Sequence, residues 1–269
     1  RRAVHVATVL KPEAGASVRL GVVGGGAGRV AVAVLERGCV RLGPWVQEHR
    51  ETGHSPTVPS PALLRSLPPL PPPPSVELLL AMPRPKVMMR LWSMIAQLGV
   101  TRITLTNACR VEKSYFSSQA VDRSRYMAEL QEGLEQAVCT RMPEVRIEMR
   151  LKPFVEDDLD ALCPPGSVQR LVCHPGSGPS IAQAVSRERP GGLLLAIGPE
   201  GGWVDFELEL LRSRGFEQVS LGPRVLTTEV AVVSLLTLAS DALRHSQAPC
   251  AKGGPTGVPD GVVAVAPAA

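Results

Sequence analysis

The hydrophobic and polar positions of this chain change their spacing along its length, and the spacing divides the chain into two regions. Before residue 48, short valine-rich runs flank a glycine cluster at residues 24–28, which predicts a β-hairpin. A phosphate-binding loop is excluded there, because neither a helix nor a Lys-Ser/Thr pair follows the glycines. From residue 76 onward, short apolar runs alternate with amphipathic segments of helical period.

The second region predicts alternating strands and helices. The strands are predicted at residues 76–82, 101–106, 144–149, 168–173, 193–197 and 218–221. The helices are predicted at residues 85–98, 122–140, 154–162, 205–214 and 228–245. Pro85 suits the first turn of a helix, and Gly215 suits the position after a helix end. This alternation is typical of an α/β fold with a mostly parallel sheet and helices on both faces.

Composition shifts divide the chain into four segments. We expect a small β-domain at residues 1–48, a proline-rich linker at 49–75, an α/β domain at 76–245 and a disordered tail at 246–269. The linker ends in a run of prolines that favours polyproline II. A docking site for a partner with an aromatic groove is the alternative interpretation of that run.

Composition and charge narrow the possible partners. Only 3% of the residues are aromatic, so aromatic platforms for stacking nucleic-acid bases are not expected. The formal net charge is +4, and the basic residues are mostly arginine, which binds phosphate in a bidentate manner. RNA binding would therefore depend on arginine, although the same charge is also typical of a solvated surface.

The cysteines and the hydropathy pattern exclude other classes of protein. The six cysteines show no metal-ligand spacing, so we expect reduced, structural cysteines and no metal site. No run of about 18 apolar residues occurs, so we expect no membrane span. We expect a cytoplasmic location, or an organellar one in a eukaryote. Because the chain begins at Arg1 rather than Met, we expect a fragment or a processed product.

Two glycine-rich loops near the C-terminal end carry the candidate chemistry. One spans residues 198–202 and the other spans residues 221–226, and each joins an apolar run to a helical pattern. In an open α/β sheet, ligands bind beyond the carboxyl ends of strands, where glycines let a ligand approach the backbone. The first loop alone is equally consistent with a tight strand-to-helix turn. The two loops together favour a cofactor site.

Charged residues beside the loops restrict the ligand. Asp205, Glu207 and Glu209 follow the first loop, where they satisfy the start of a helix and repel phosphate. A cationic or zwitterionic cofactor therefore fits better than a nucleotide. Neither loop carries GxGxxG with an acid about twenty residues later, which weakens a nucleotide-dependent dehydrogenase. Thr228 is interpreted as the N-cap of the last helix. Glu229 lies in the first turn, where its negative charge stabilises the helix through the helix dipole whether or not Glu229 has a further function.

The sequence around both loops carries a family resemblance. The first block is Ile197-Gly198-Pro199-Glu200-Gly201-Gly202-Trp203, followed by Glu207 and Gly215-Phe216. The second block is Val219-Ser220-Leu221-Gly222, then Arg224-Val225-Leu226, Thr228-Glu229 and Ala231. Weaker matches lie at residues 97–103, at residues 135–145, and at His5 with Val9-Leu10 and Gly15. Together these residues closely resemble the signature of the RsmE family, the ribosomal RNA uridine-N3 methyltransferases of the SPOUT superfamily.

The resemblance implies a fold, a cofactor and a reaction. The fold is a SPOUT-type α/β domain whose mostly parallel sheet contains a trefoil knot, preceded by an incomplete PUA-like β-barrel that binds RNA. The cofactor is S-adenosylmethionine, held bent in the two loops close to the partner subunit of a homodimer. The reaction is methyl transfer to N3 of an unpaired or flipped uridine in small-subunit ribosomal RNA. Neither a metal nor a membrane is implied.

The predicted site residues combine the two loops with the resemblance. The candidate catalytic residues are Arg224, Glu229 and Glu200. Arg224 is expected to bind the uracil oxygens or a phosphate, and either glutamate is expected to act as a base or to orient the cofactor. The candidate cofactor-binding residues are His174, Ile197, Gly198, Pro199, Gly201, Gly202, Leu221, Gly222, Val225, Leu226 and Thr228. The candidate RNA-binding residues are Arg2, Lys11, Arg19, Arg110 and Arg141.

The chain departs from the family pattern at several positions. Thr227 stands where the family usually has Arg, and Val230 stands where it usually has Thr. Met94 and Gln97 replace the usual Lys and Glu, and the first barrel strand is missing. Cofactor binding through the backbone should survive these changes better than RNA positioning. A second hypothesis is therefore a SPOUT-fold RNA-binding or ribosome-assembly protein that has lost turnover.

Overall fold

The computed structural model describes residues 17–25, 27–36, 39–45, 75–185 and 191–247. The predicted linker up to residue 74 and the chain from residue 248 lie outside the described residues. The predicted RNA-binding residues Arg2 and Lys11 lie outside them as well.

The N-terminal region contains a three-stranded antiparallel sheet. Its strands are β1 (Ser17–Gly21), β2 (Ala27–Glu36) and β3 (Cys39–Trp45), in the order β1-β2-β3. The predicted hairpin is confirmed, because β1 and β2 pair across the glycine cluster. Gly24 has a φ of +77° in the turn, a left-handed conformation that glycine adopts without a steric penalty.

The hairpin turn contacts the rest of the chain at Thr140. The amide of Gly24 donates a hydrogen bond to the carbonyl oxygen of Thr140 at 2.8 Å. Oγ1 of Thr140 in turn donates to the carbonyl oxygen of Gly25 at 2.5 Å. Thr140 is buried, so this pair of bonds fixes the turn against the segment before the next strand.

A parallel sheet forms the centre of the remaining chain. Its strands are β4 (Val76–Ala81), β5 (Arg102–Thr106), β6 (Glu144–Glu148), β7 (Gln169–Cys173), β8 (Leu193–Ile197) and β9 (Phe216–Val219). They form a six-stranded sheet in the order β6-β5-β4-β8-β7-β9, and every neighbouring pair is parallel. All positions of β7 and β8 are buried although successive side chains point to opposite faces, so both faces are covered. The predicted α/β fold with a mostly parallel sheet is confirmed.

The helices separate the strands along the chain. They are α1 (Pro85–Gln97), α2 (Arg123–Gln136), α3 (Leu151–Pro153), α4 (Leu159–Leu162), α5 (Ile181–Ala184), α6 (Asp205–Ser213) and α7 (Thr228–Gln247). A π-helical turn (Phe154–Asp158) joins α3 to α4. Pro85 occupies the first turn of α1, as predicted. The fully buried Trp92 of α1 packs against Tyr126 of α2, with ring centroids 5.0 Å apart.

Several predicted boundaries are wrong; the helix predicted to begin at residue 154 is already preceded by helix from Leu151, and two other differences have a clear local reason. The helix predicted to end at residue 140 ends at Gln136, because Val138 turns the chain with a φ of 52°. The amide of Cys139 then donates to the carbonyl oxygen of Leu134 at 2.9 Å, which closes the helix end. The last strand begins at Phe216 rather than at residue 218 and ends at Val219. It stops there because the amide of Ser220 donates to the carbonyl oxygen of Pro179 instead of to a strand neighbour.

None of the helices in the described ranges is both long enough and apolar enough to cross a membrane.

Candidate functional site

A cavity of about 230 Å³ lies at the carboxyl ends of β7, β8 and β9. The two glycine-rich loops and the first turns of α7 form its walls. Ligands of open parallel sheets bind at this edge, because backbone groups are exposed where strands end. The lining residues are Cys173, His174, Pro175, Ile197, Gly198, Pro199, Glu200, Gly201, Gly202, Trp203, Val219, Leu221, Gly222, Arg224, Val225, Leu226, Thr228, Ala231 and Leu235.

Most of the predicted site residues meet in this cavity. Every residue that the sequence analysis predicted to bind the cofactor belongs to the lining. Arg224 and Glu200 belong to it too, whereas Glu229 does not. The two loops are therefore one site, as expected from their position after neighbouring parallel strands.

The first loop is held by contacts with two other segments. The amide of Gly202 donates to the carbonyl oxygen of Pro199 at 2.8 Å, which forms a turn. Oε1 of Glu200 accepts a hydrogen bond from the amide of Arg84 at 2.9 Å, which ties the loop to the start of α1. On the other side, Nη1 of Arg110 donates to the carbonyl oxygen of Gly201.

A buried carboxylate fixes the helix that follows this loop. Glu207 is only 4% exposed, and its Oε2 accepts from the amide of Val204 at 2.9 Å. Its Oε1 accepts from the amide of Cys109 at 2.7 Å. Glu207 therefore satisfies the start of α6 and holds the segment after β5 against it. This acidic group at the start of α6 disfavours a phosphate there, in agreement with the sequence analysis.

The second loop is shaped by Ser220 and Gly222. Oγ of Ser220 donates to the carbonyl oxygen of Gly176 at 2.7 Å and accepts from the amide of Gly222 at 3.0 Å. Gly222 has a φ of +97°, where a side chain would be strained. A Cβ at Gly222 would meet no other heavy atom within 4 Å, so the backbone here is open to a ligand.

The N-cap of α7 is Thr227 rather than Thr228. Oγ1 of Thr227 accepts from the amide of Val230 at 3.4 Å, and its carbonyl oxygen accepts from the amide of Ala231 at 2.9 Å. Thr228 is the first residue of the helix and is buried in the cavity lining. The sequence interpretation of Thr228 as the cap is wrong by one residue, because both neighbouring threonines are good caps.

Glu229 lies beside the cavity and is engaged in an ion pair with Arg90 of α1. Oε1 accepts from Nε of Arg90 at 2.8 Å, and Oε2 accepts from Nη2 at 2.7 Å. These hydrogen bonds and the charge of Arg90 lower the pKa of Glu229 from its usual value. A carboxylate held in this way is a poor proton acceptor, so the structure favours a positioning role for Glu229.

His174 was predicted from the sequence to bind the cofactor, whereas no role was predicted for Trp203. Trp203 is 2% exposed, and its indole Nε1 has no hydrogen-bond partner within the described parts of the chain. The buried Nδ1 of His174 also lacks a partner among those residues. The signal for Trp203 was its place directly after Gly201-Gly202, where an aromatic side chain closes a loop that has little bulk of its own.

Burial shifts the pKa values of two groups in the cavity lining. Burial raises the pKa of the Cys173 thiol to about 12, so Cys173 remains protonated and is not a nucleophile. Burial lowers the pKa of His174, and the charges of Arg212 and Arg110 lower it further while Asp205 opposes them. His174 is therefore neutral near pH 7.

The predicted RNA-binding residues that the structure describes lie in three places. Arg110 borders the cavity at Gly201. Arg141 directly follows Thr140, which holds the hairpin turn. Arg19 lies on β1, in register with Arg29 of β2. Among the described residues, no group of three or more His, Cys, Asp or Glu side chains is arranged to hold a metal ion.

Comparisons with known proteins place this geometry in context. A family model described as an RNA methyltransferase domain matches residues 71–240. The ribosomal RNA small subunit methyltransferase E of Treponema pallidum is 27% identical over 233 residues, which cover 86% of this chain and 79% of that protein. The protein of the same name from Synechocystis is 28% identical, over 77% of this chain and 60% of its own length. A structure of the enzyme of this name from Neisseria gonorrhoeae, bound to S-adenosyl methionine, has a TM-score of 0.63. It is 19% identical and covers 88% of this chain and 87% of its own chain, which shows the shared fold.

Proposed function

The chain belongs to the RNA methyltransferase family whose model matches residues 71–240, in its RsmE group, and from this premise we propose that it methylates N3 of a uridine in small-subunit ribosomal RNA. The methyl donor is S-adenosylmethionine. The observation that carries the proposal is that two loops, each predicted separately from sequence, line a single cavity at the carboxyl ends of β7, β8 and β9.

The residues of the cavity fit this cofactor. Gly222 offers backbone that no Cβ covers, so a ligand can approach the main chain there. The buried indole N–H of Trp203 has no acceptor among the described residues, which is the condition expected of a donor reserved for a ligand. Asp205 and Glu207 in the first turn of α6 disfavour a phosphate beside the first loop, so a cofactor without phosphate fits better there than a nucleotide. When bound, S-adenosylmethionine supplies a methyl group on a positively charged sulfur.

The chain supplies positioning and a route for the proton of N3. Arg224 is exposed at the cavity, where its guanidinium can bind the uracil oxygens or the adjoining phosphate. Glu200 is our candidate for the group that accepts the N3 proton, directly or through water, because Glu200 lines the cavity and its Oε1 is fixed by the amide of Arg84. Glu229 fixes Arg90 and the first turn of α7 and does not take the proton itself. The main contribution of such a site is the orientation of the attacking nitrogen.

We expect a wider surface of the protein to bind RNA. The segment at residues 1–48 acts as the RNA-binding PUA-like domain, and residues 76–245 form the SPOUT methyltransferase domain with its trefoil knot. Arg110 lies close enough to the cavity to bind RNA beside the target base. Arg2, Lys11, Arg19 and Arg141 are our candidates for further contacts with the RNA. Arginine suits these contacts because its guanidinium binds phosphate in a bidentate manner.

We also propose that the chain acts as a homodimer through α7 and the second loop. Val225 is 87% exposed, and Val230 and Leu238 of α7 are 49% and 43% exposed. Val230 and Leu238 are eight positions apart in the helix and so lie near one face. A second copy would cover these side chains and the open side of the cavity. Light scattering should give twice the chain mass for the wild type and a shift toward the monomer for Leu238→Lys.

Analysis of ribosomal RNA nucleosides by mass spectrometry tests the proposed reaction. Incubation of small-subunit ribosomal RNA with the protein and S-adenosylmethionine should yield 3-methyluridine, and Arg224→Ala should lower the yield about a hundredfold. Arg146→Ala is the matched control, because Arg146 pairs with Glu148 on β6 at the opposite edge of the sheet. Cofactor binding by calorimetry without any 3-methyluridine would instead support an RNA-binding protein that has lost turnover. Failure to bind the cofactor would overturn the proposed methyltransferase activity and would favour the RNA-binding or ribosome-assembly protein.

A further inference from the structure

Phe206, the second residue of α6, carries an aromatic ring that is 56% exposed. Among the aromatic side chains whose burial the structure describes, it is the only exposed one. The core contacts of α6 are made by other residues of the helix, Leu208, Leu210 and Leu211, which are all buried. The ring of Phe206 therefore lies on the surface, where it offers a face on which an unpaired nucleic-acid base can stack.

The contacts of neighbouring residues place Phe206 between the first glycine-rich loop and the end of β6. Trp203, three residues earlier, lines the cavity. Glu207, the next residue of α6, accepts a hydrogen bond from the amide of Cys109 in the loop after β5. Nζ of Lys152, in the segment after β6, lies 5.9 Å from the centroid of the Phe206 ring. The ring thus lies next to the cavity, at the carboxyl ends of β5 and β6.

Basic side chains occupy the same edge of the sheet. Arg110 follows β5, Arg150 and Lys152 follow β6, and all three are exposed. Lys152 forms only a loose ion pair with Glu156, in which Nζ and Oε1 are 3.8 Å apart and both side chains are exposed. A pair of this kind contributes little stability, so Lys152 can exchange the carboxylate for a phosphate.

The acidic residues beside the ring restrict what can bind there. Asp205 and Glu209 of α6 are exposed, and they repel phosphate from the helix itself. A nucleic-acid base carries no charge, so it can lie on the Phe206 ring while its phosphate lies toward Arg150 and Lys152. This separation of charges favours an RNA strand over an acidic protein or a free anion.

We propose that Phe206 stacks on an unpaired base beside the target uridine, while Lys152 binds the phosphate of that nucleotide. The inference rests on the proposed function, because it takes the RNA whose uridine enters the cavity as the occupant of this surface. A uridine presents N3 only when it is unpaired or flipped, and its removal from the stack uncovers the neighbouring base. Stacking of that base on Phe206 offsets part of this cost and holds the strand at the cavity.

Filter binding with small-subunit ribosomal RNA at several salt concentrations tests the two roles separately. Phe206→Ala should weaken binding about tenfold and leave the slope of log Kd against log salt unchanged, because stacking releases no counterions. Lys152→Gln should reduce that slope by about one, because it removes a phosphate contact. Calorimetry with S-adenosylhomocysteine should give the wild-type affinity for both variants, since neither residue belongs to the cavity lining.

Two further substitutions at Phe206 distinguish stacking from apolar packing. Phe206→Leu keeps an apolar side chain without an aromatic face and should lose as much RNA affinity as Phe206→Ala. Phe206→Trp keeps the aromatic face and should bind ribosomal RNA at least as tightly as the wild type. Its fluorescence should also be quenched by the RNA more strongly than that of the wild type, because Trp92 and Trp203 are buried.

Arg244→Gln is the matched control for loss of a surface charge. Arg244 is exposed in the last turn of α7, a helix of 20 residues whose first turns line the cavity, so it lies roughly 30 Å away along the helix. Arg244→Gln should leave both the affinity for ribosomal RNA and its salt dependence unchanged. A change in slope as large as that of Lys152→Gln would show that the substitution acts through net charge alone and would overturn the role of Lys152.

The possible results separate this inference from the proposed reaction. Wild-type RNA affinity in Phe206→Ala or in Phe206→Leu would overturn the stacking role. A smaller mass of Phe206→Ala in light scattering would show that a second copy of the chain covers the ring, which would overturn it as well. RNA binding that depends on Phe206 without formation of 3-methyluridine would contradict the proposed reaction and support the inference. A wild type that binds no ribosomal RNA would overturn both.

Discussion

Arg90 and Glu229 form a bidentate ion pair that joins α1 to the first turn of α7. Nε and Nη2 of Arg90 donate to the two carboxylate oxygens of Glu229 at 2.8 and 2.7 Å. The preceding residue Thr228 lines the cavity, so the pair fixes the helix at the point where the second loop enters it. Exposed ion pairs contribute little to global stability, so the value of this pair lies in positioning.

A double-mutant cycle separates positioning from proton transfer at this pair. Arg90→Gln and Glu229→Gln should each lower kcat/KM for methylation of ribosomal RNA about fivefold, and the double variant should lose no more than either single variant. The losses coincide because each substitution removes the same ion pair. A decrease of about 10²-fold or more for Glu229→Gln alone, with Arg90→Gln close to the wild type, would identify Glu229 as the base after all.

The backbone conformation of Gly222 is required for the second loop. Gly222→Ala places a Cβ on a residue with a φ of +97°, which should lower the free energy of unfolding by about 1–2 kcal/mol and weaken binding of S-adenosylhomocysteine. Urea unfolding and calorimetry measure the two effects.

Gly201→Ala is the control for this substitution in the first loop. Its Cβ would lie 2.8 Å from Cδ of Arg110, an exposed side chain that can move away at the cost of its hydrogen bond to Gly201. Gly201→Ala should therefore perturb stability less than Gly222→Ala does. Equal losses in the two variants would show that loop space, rather than backbone conformation, governs the site.

The sequence predicted the features that depend on local pattern. Residues 193–197 are apolar at every position, which is typical of a parallel strand in a sheet with both faces covered. The loops that follow neighbouring parallel strands lie at the same edge of the sheet. That rule placed Gly198 and Leu221 in one cavity without knowledge of the strand order.

Contacts between distant segments could not be predicted from the sequence. Arg90 and Glu229 are separated by 139 positions, and no spacing rule links α1 to α7. The local conformation of Val138 was equally hidden, because a β-branched residue is among the least expected to adopt a positive φ. Its strain is retained because the hydrogen bonds of the helix end and the contact of Thr140 with the hairpin turn fix the chain on both sides.

Relief of that strain should stabilise the protein. Val138→Gly removes the steric conflict at a φ of 52°, and after the entropy loss of glycine it should raise the free energy of unfolding by about 1 kcal/mol. The melting temperature should rise by about 2–4 °C for a chain of this size. Ala137→Gly is the matched control, because Ala137 has an ordinary φ of −78° and gains nothing from glycine. A lower melting temperature for Val138→Gly would show that the packing of the valine outweighs its strain.

His174 should make the stability of the fold depend on pH. Its pKa in the folded chain lies below the usual 6.5, first because of burial and then because of Arg212 and Arg110. Below pH 6.5 the unfolded chain therefore binds a proton that the folded chain does not bind, so stability is present above this pH and is lost progressively as the pH falls toward the lowered pKa. Urea unfolding between about pH 7.5 and about pH 5.5 should show this loss, and His174→Asn should reduce it.

His245→Asn is the control, because His245 lies exposed in the last turn of α7 and should leave most of the pH dependence in place. The same slope in His174→Asn as in the wild type would assign the pH dependence to other groups and would remove the evidence that His174 is kept neutral by its surroundings.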